Sequence, residues 1–205
     1  MEKEVRNLTT KIELRSSKEE EKEYIEGYAL KFEKWSERLW YFKEIIDRNA
    51  LDKADMGNVV ALFNHKEDYP LARNTVDGDV GKLELEVDNI GLKFRLSPTD
   101  TSYAKDLMEN VRSGVINQCS FAFSINYDDD NAEEWEYNEN EEIYERRINK
   151  IERLYDISIV TTPAYNDTEA VVGARSKEKV KELEELRNKP KLDKLKMELE
   201  LLDLV

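Results

Sequence analysis

The sequence predicts an α+β protein, mainly β, with a helical C-terminal tail, and three observations carry that reading. Period-two alternation with aromatic and β-branched residues dominates the first half and returns after residue 114. One stretch, about residues 101 to 113, switches to the 3.6-residue spacing of a helix. After Arg175 the composition turns to charge-rich helix.

Taken in order, Tyr24 to Trp35 has the alternation of a strand, and Asn58 to Phe63 is a short apolar run suited to a buried one. Leu71 to Ser97 reads as three strands, with Asp77-Gly78-Asp79 and Asp88-Asn89-Ile90-Gly91 supplying turn residues. Asp100 is the expected N-cap of the helix, Ala104, Leu107, Met108 and Val111 form its apolar face, and Gly114 suits a left-handed end. Val115 to Tyr127 and then Ile143 to Thr162 resume strand character, the latter with an expected bend. Asp128 to Glu145 holds ten acids and no base, so an exposed, self-repelling loop is expected there. In the tail a break is expected at Pro190, followed by a stripe of Leu192, Leu195, Leu199 and Leu202. Ser176 to Val205 has eight bases and eight acids, and such a neutral amphipathic segment suits a protein partner, or the body of the domain, better than a membrane. The expected organisation is an N-terminal extension over 1–21, a domain over 22–174 with the acidic loop at 128–145, and the tail over 175–205.

Composition excludes several functions. Forty-six acids against 32 bases give a formal charge of −14, which argues against nucleic acid or an anionic membrane as partner, because phosphate binding needs clustered Lys and Arg. No apolar run approaches the roughly 18 residues that span a bilayer, and the N-terminus has no signal-peptide core, so an intracellular, soluble protein is expected. The single Cys119 allows no intrachain disulfide, and one Cys with one His makes no His/Cys zinc site. No cofactor or metal is expected.

The chain has one histidine, His65, at the end of the apolar run Leu62-Phe63. Imidazole is the side chain whose ordinary pKa, about 6.5, suits proton transfer near neutrality. In the strand Asn117 to Ile125, alternation puts Cys119, Phe121, Phe123 and Ile125 on an apolar face and Ser120, Ala122 and Ser124 on a small polar one. Ser120 is therefore presented, while Cys119 reads as core and unreactive. The same alternation sets Asp156 and Ser158 together, opposite Tyr155, Ile157 and Ile159. A mid-strand carboxylate needs a partner, and a serine nucleophile needs a base whose tautomer is fixed by an acid. His65, Ser120 and Asp156 are the candidate base, nucleophile and acid.

Read in order, Gly27-Tyr28-Ala29 with Phe32, Phe42 to Ile46, Leu62-Phe63-Asn64-His65, Pro70-Leu71-Ala72-Arg73, Gly91-Leu92, Ser120-Phe121-Ala122-Phe123 and Asp156-Ile157-Ser158-Ile159-Val160-Thr161-Thr162-Pro163-Ala164-Tyr165 resemble the prohead maturation proteases of tailed bacteriophages. The resemblance covers roughly residues 22 to 174 and lies in the order and spacing of the set. That family is related to the herpesvirus assemblin-type proteases, so the resemblance implies a closed β-barrel with flanking helices. It also implies His65 as general base, Ser120 as nucleophile and Asp156 as third member, where glutamate is commoner in the family. Pro163, Ala164 and Tyr165 stand where the herpesvirus relatives carry arginines.

The implied activity is a serine endopeptidase, made in the host bacterial cytoplasm and enclosed in the assembling prohead. Its implied substrates are the scaffold segment of the major capsid protein, or a separate scaffold, and itself. The C-terminal helix is the expected site of scaffold docking or self-association. The alternative is a catalytically inactive capsid-assembly or scaffold-binding protein with the same fold. A cysteine hydrolase using Cys119 is disfavoured by the strand alternation.

Overall fold

A computed structural model describes the backbone of residues 3–16, 23–161 and 174–202. The chain divides into two compact units, Met1–Val171 and Val172–Val205. The first opens with β1 (Glu4–Lys11), β2 (Glu13–Ser16), β3 (Glu23–Lys31), β4 (Phe42–Ile46), β5 (Val60–Phe63) and β6 (Lys66–Arg73). It continues through β7 (Lys82–Val87), β8 (Gly91–Ser97), α1 (Ser102–Arg112), β9 (Gln118–Ser124), β10 (Glu133–Asn138), β11 (Ile143–Ile148) and β12 (Arg153–Val160). The second unit contains α2 (Ala174–Leu202).

The mainly β, α+β reading holds. Nine strands form one sheet in the order β1-β9-β12-β5-β6-β7-β8-β3-β2, and β10-β11-β4 form a second. The expected closed barrel is not found as a continuous ring of ladders: among the described residues no ladder joins the end strands β1 and β2. The reason lies in the N-terminal segment, which changes partner along its length. It pairs with β9 as far as Lys11↔Gln118 and with β3 from Glu13↔Glu26, so the two ends are joined through the chain at Ile12 rather than by a ladder. Residues 4–16, expected as an extension, are thus two strands of the main sheet.

Ile25, Leu30, Phe94, Leu96, Phe121 and Phe123 of the large sheet share one buried core with α1, whose buried face is the expected Ala104, Leu107, Met108 and Val111. Burial of such side chains contributes about 1.5–3 kcal/mol each. Gly91 is required by packing rather than by a turn, since a Cβ there would meet the Leu30 carbonyl oxygen at 2.0 Å. Thr101, not Asp100, occupies the N-cap of α1, while Asp100 pairs with Lys105 at 2.8 Å. Gly114 adopts the left-handed φ of +77° expected after the helix. Pro190 does not end α2, which continues to Leu202; the side chains of the Leu192, Leu195, Leu199 and Leu202 stripe lie outside the described residues.

The acidic segment departs from the expected loop: β10 and β11 pair over Glu133↔Ile148 to Asn138↔Ile143, and β11 runs parallel to β4. Cations from outside the run pair with part of it. Lys43 meets Glu141 at 2.7 Å and Glu145 at 3.2 Å, Lys150 meets Asp129 at 2.7 Å, and Trp135 packs edge-on against Phe42.

Between the two sheets lies a buried charge cluster. The fully buried Arg146 donates to both oxygens of Glu4, at 2.8 and 2.9 Å, and also meets Glu133 at 2.6 Å and Glu44 at 3.2 Å. Arg6 pairs with Glu4 and Glu44, and the Tyr127 hydroxyl donates to Glu4 at 2.5 Å. Such a network adds little net stability over an apolar core, but it penalises the loss of one member. Arg146→Met should therefore destabilise the body by about 3–5 kcal/mol, read by chemical denaturation, because Glu4 would stay buried without its main cation and Glu44 would keep only Arg6.

The same cluster sets an acid limit. Burial opposes ionisation of Glu4, yet Arg146 and Arg6 outweigh it and hold its carboxyl well below the ordinary range. A depressed folded-state pKa stabilises the protein above the unfolded value, near 4, and that contribution is lost as pH falls toward the folded value. Stability measured between about pH 5 and 2 should fall steeply, and Glu4→Gln should flatten that slope even where it lowers stability at neutral pH.

Candidate active site

The central strands of the large sheet, β9, β12 and β5, are neighbours, with β12 antiparallel to β9 and parallel to β5. Ser120 stands opposite Ser158 and Ala122 opposite Asp156, so pairing puts Ser120, Asp156 and Ser158 on one face, as alternation predicts. Cys119 turns the other way into the core, where its thiol donates to the Tyr28 carbonyl at 3.2 Å.

His65 comes from the two-residue turn joining β5 to β6, where Phe63 pairs with Lys66. Asn64 and His65 both have left-handed backbones, φ 53° and 55°, as a type I′ hairpin turn requires. Asparagine suits the first position; the second usually belongs to glycine, so His65 is held in a conformation it disfavours. Contacts to the end of β12 hold it there. The Asn64 N–H donates to the Ile159 carbonyl at 3.0 Å, Asn64 Oδ1 accepts from the Thr161 N–H at 3.0 Å, and the His65 N–H donates to Ser158 Oγ at 3.2 Å.

In that conformation the ring bridges the other two side chains. His65 Nε2 lies 2.5 Å from Ser120 Oγ, and Nδ1 lies 2.6 Å from Asp156 Oδ1. The three candidates are thus brought together, although 55 and 91 residues separate His65 from its two partners. The Asp156 carboxylate is 1% exposed. Burial pushes it up, but the hydrogen bond and charge of His65, followed by those of Lys3, outweigh this and keep it below the ordinary carboxylate value.

Two contributions from β1 and its approach were invisible in the sequence. Lys3 places its ammonium 2.6 Å from Asp156 Oδ2, and the Arg6 carbonyl accepts from Ser120 Oγ at 2.9 Å. Nothing in the polar run Glu2-Lys3-Glu4 distinguishes Lys3 from an exposed lysine; only the β1–β9 pairing brings it to the site. Pro163, Ala164 and Tyr165 lie outside the described residues. The described residues contain no cluster of His, Cys, Asp and Glu able to hold a metal ion, and no helix long and apolar enough to cross a membrane.

A hydroxyl, an imidazole and a carboxylate linked in that order are the constellation of triad hydrolases. The comparisons with known proteins give the class a family. The model of the caudovirus prohead serine protease family matches residues 10–183, and the chain belongs to that family. Among solved structures it is similar to the capsid assembly protease gp21 of bacteriophage T4, at 11% identity and a TM-score of 0.40, over 77% of this chain and 98% of that one. No curated protein matches the sequence.

Proposed function

We propose that the chain is a serine endopeptidase of phage prohead maturation in which Ser120 is the nucleophile, His65 the general base and acid, and Asp156 the group that orients His65. The observation that carries this reading is the unbroken relay from Ser120 Oγ through His65 to Asp156, at 2.5 and 2.6 Å. Ser120 has one hydroxyl proton and two acceptors within reach, His65 Nε2 and the Arg6 carbonyl. Catalysis uses the first. As Oγ bonds to the scissile carbonyl carbon, its proton passes to Nε2, and Asp156 stabilises the imidazolium through Nδ1–H. Nε2 then returns the proton to the departing amine as the C–N bond breaks, leaving an acyl-serine. Water, deprotonated by the same nitrogen, releases the acid and restores Ser120.

By the family's name, the setting is the prohead of a tailed phage. The substrates would be the scaffold segment of the major capsid protein, or a separate scaffold, together with the protease itself. Mass spectrometry of the major capsid protein co-expressed with the wild-type chain should find fragments that are absent with Ser120→Ala. Intact coat and intact protease in both cases would favour a binding role in assembly.

The C-terminal unit is assigned to docking on scaffold helices. Truncation after Val171 follows the division into two units and should leave a body that unfolds cooperatively and cleaves a soluble peptide. That body should fail to enter proheads, as measured by its copy number in purified particles. An unfolded body would make the helix structural.

A further inference from the structure

Resting on the reading of His65, Ser120 and Asp156 as the reacting group, we propose that Ser158 is a positioning residue. Its buried hydroxyl clamps the His65 turn and the Asp156 carboxylate together, so that the ring presents Nδ1–H to Asp156 and Nε2 to Ser120. Ser158 Oγ touches three groups: it accepts from the His65 backbone N–H at 3.2 Å, donates to Asp156 Oδ1 at 2.9 Å, and lies 3.1 Å from His65 Nδ1.

A hydroxyl has one proton and two lone pairs, and each has a use here. One lone pair holds the backbone N–H of a residue in the left-handed region, where histidine does not stay without support. The proton goes to Oδ1, the oxygen that also faces Nδ1, and so fixes the carboxylate in the plane where it accepts from the ring. The second lone pair faces Nδ1–H, which disfavours the tautomer that carries its proton on Nε2 alone, since a bare Nδ1 would then face Oδ1 and this oxygen. That tautomer cannot take a proton from Ser120. The Ser158 position on β12 suits the task, since it is wholly buried and opposite Ser120 across the ladder, on a central strand with little freedom to shift.

A purely structural role predicts something different: loss of the hydroxyl would lower stability and leave the ring's orientation and the rate constant alone. Ser124 is the matched control. It is buried on the same face of the sheet, two positions beyond Ala122, and its hydroxyl lies 3.3 Å from the Tyr155 hydroxyl, away from His65.

The test uses the full chain and a fluorogenic peptide carrying a coat-protein cleavage site found by mass spectrometry. Ser158→Ala should lower kcat on the order of 10²-fold with KM nearly unchanged, the loss expected from misplacing a reacting group by about 1 Å. Ser124→Ala should stay within about twofold, and Ser158→Thr, which keeps the hydroxyl and suits a strand, should recover most of the rate. Should alanine fail to fold, Ser158→Cys carries the same expectation, because it keeps the shape and replaces the hydroxyl with a weak donor and acceptor.

Because the chain has one histidine, its imidazole N–H proton resonance is unambiguous. That signal should be sharp and downfield in the wild type and in Ser158→Thr, and broadened or lost in Ser158→Ala at equal foldedness. Unchanged kcat in a folded Ser158→Ala, or a loss confined to KM, would overturn the inference. The reading on which it rests fails separately: cleavage surviving in Ser120→Ala would remove the triad, whereas an inactive Ser120→Ala beside a fully active Ser158→Ala removes only the role of Ser158.

Discussion

Ser120→Ala should lower kcat by on the order of 10⁶-fold, the loss seen when the serine of a comparable triad is removed, while Cys119→Ser should retain most of the activity. The contrast is large because Ser120 faces a base, whereas Cys119, equally buried, faces the core. Ser120 Oγ is 2.5 Å from a base that is itself held by a carboxylate. Cys119 is buried in the apolar core, its thiol directed at the Tyr28 carbonyl, on the face turned away from His65. Burial in apolar surroundings disfavours a thiolate. The measurement is single-turnover cleavage of a coat-derived peptide, with thermal unfolding of each variant as the control. An inactive, folded Cys119→Ser beside an active Ser120→Ala would reverse the assignment.

Asp156→Asn is expected to keep the fold and lose roughly 10⁴-fold in rate, by analogy with the same change in other serine proteases. The amide can turn its NH₂ toward Nδ1, which then must accept, so the ring proton moves to Nε2 and the base facing Ser120 is gone. The replacement also removes the negative charge that stabilises the imidazolium and leaves Lys3, 2.6 Å away, without its counter-charge. Rates measured between about pH 5 and 9, the range over which a catalytic imidazole titrates, should show the loss across the whole range. Full activity would leave Ser120 and His65 as a dyad.

The face of each catalytic strand was legible because strand alternation is rigid: once Phe121 and Phe123 are assigned to the core, Ser120 has nowhere else to point. The helix was legible for the same reason, through Ala104, Leu107, Met108 and Val111. The hairpin turn beneath His65 was not, since Asn-His is a rarer occupant of two left-handed positions than Asn-Gly. The acidic segment misled because local charge was read without its partners: Lys43 comes from β4, about a hundred residues away, and Lys150 follows the run. The cluster of Glu4, Arg6, Glu44 and Arg146 was equally hidden, because each residue alone looks like ordinary surface charge. Sequence separation conceals such contacts; nothing in the local pattern of β1 announces that its partners are Arg146 and Ser120.

The pairing of the first strand with one made much later also dictates a schedule. The Arg6 carbonyl and Ser120 are 114 residues apart, and Glu4 and Arg146 are 142 apart. During translation β1 emerges well before β9, the strand it pairs with. Contacts of such long range are slow to close, because the loop entropy is lost before any of them contributes. His65 likewise meets its carboxylate only after Asp156 has emerged, 91 residues later. A chain that has reached Ser120 but not Asp156 therefore holds the serine and the histidine without the carboxylate that completes the relay. On the proposed function, hydrolysis becomes possible only when the last strands of the body have formed, so an unfinished copy cannot cut.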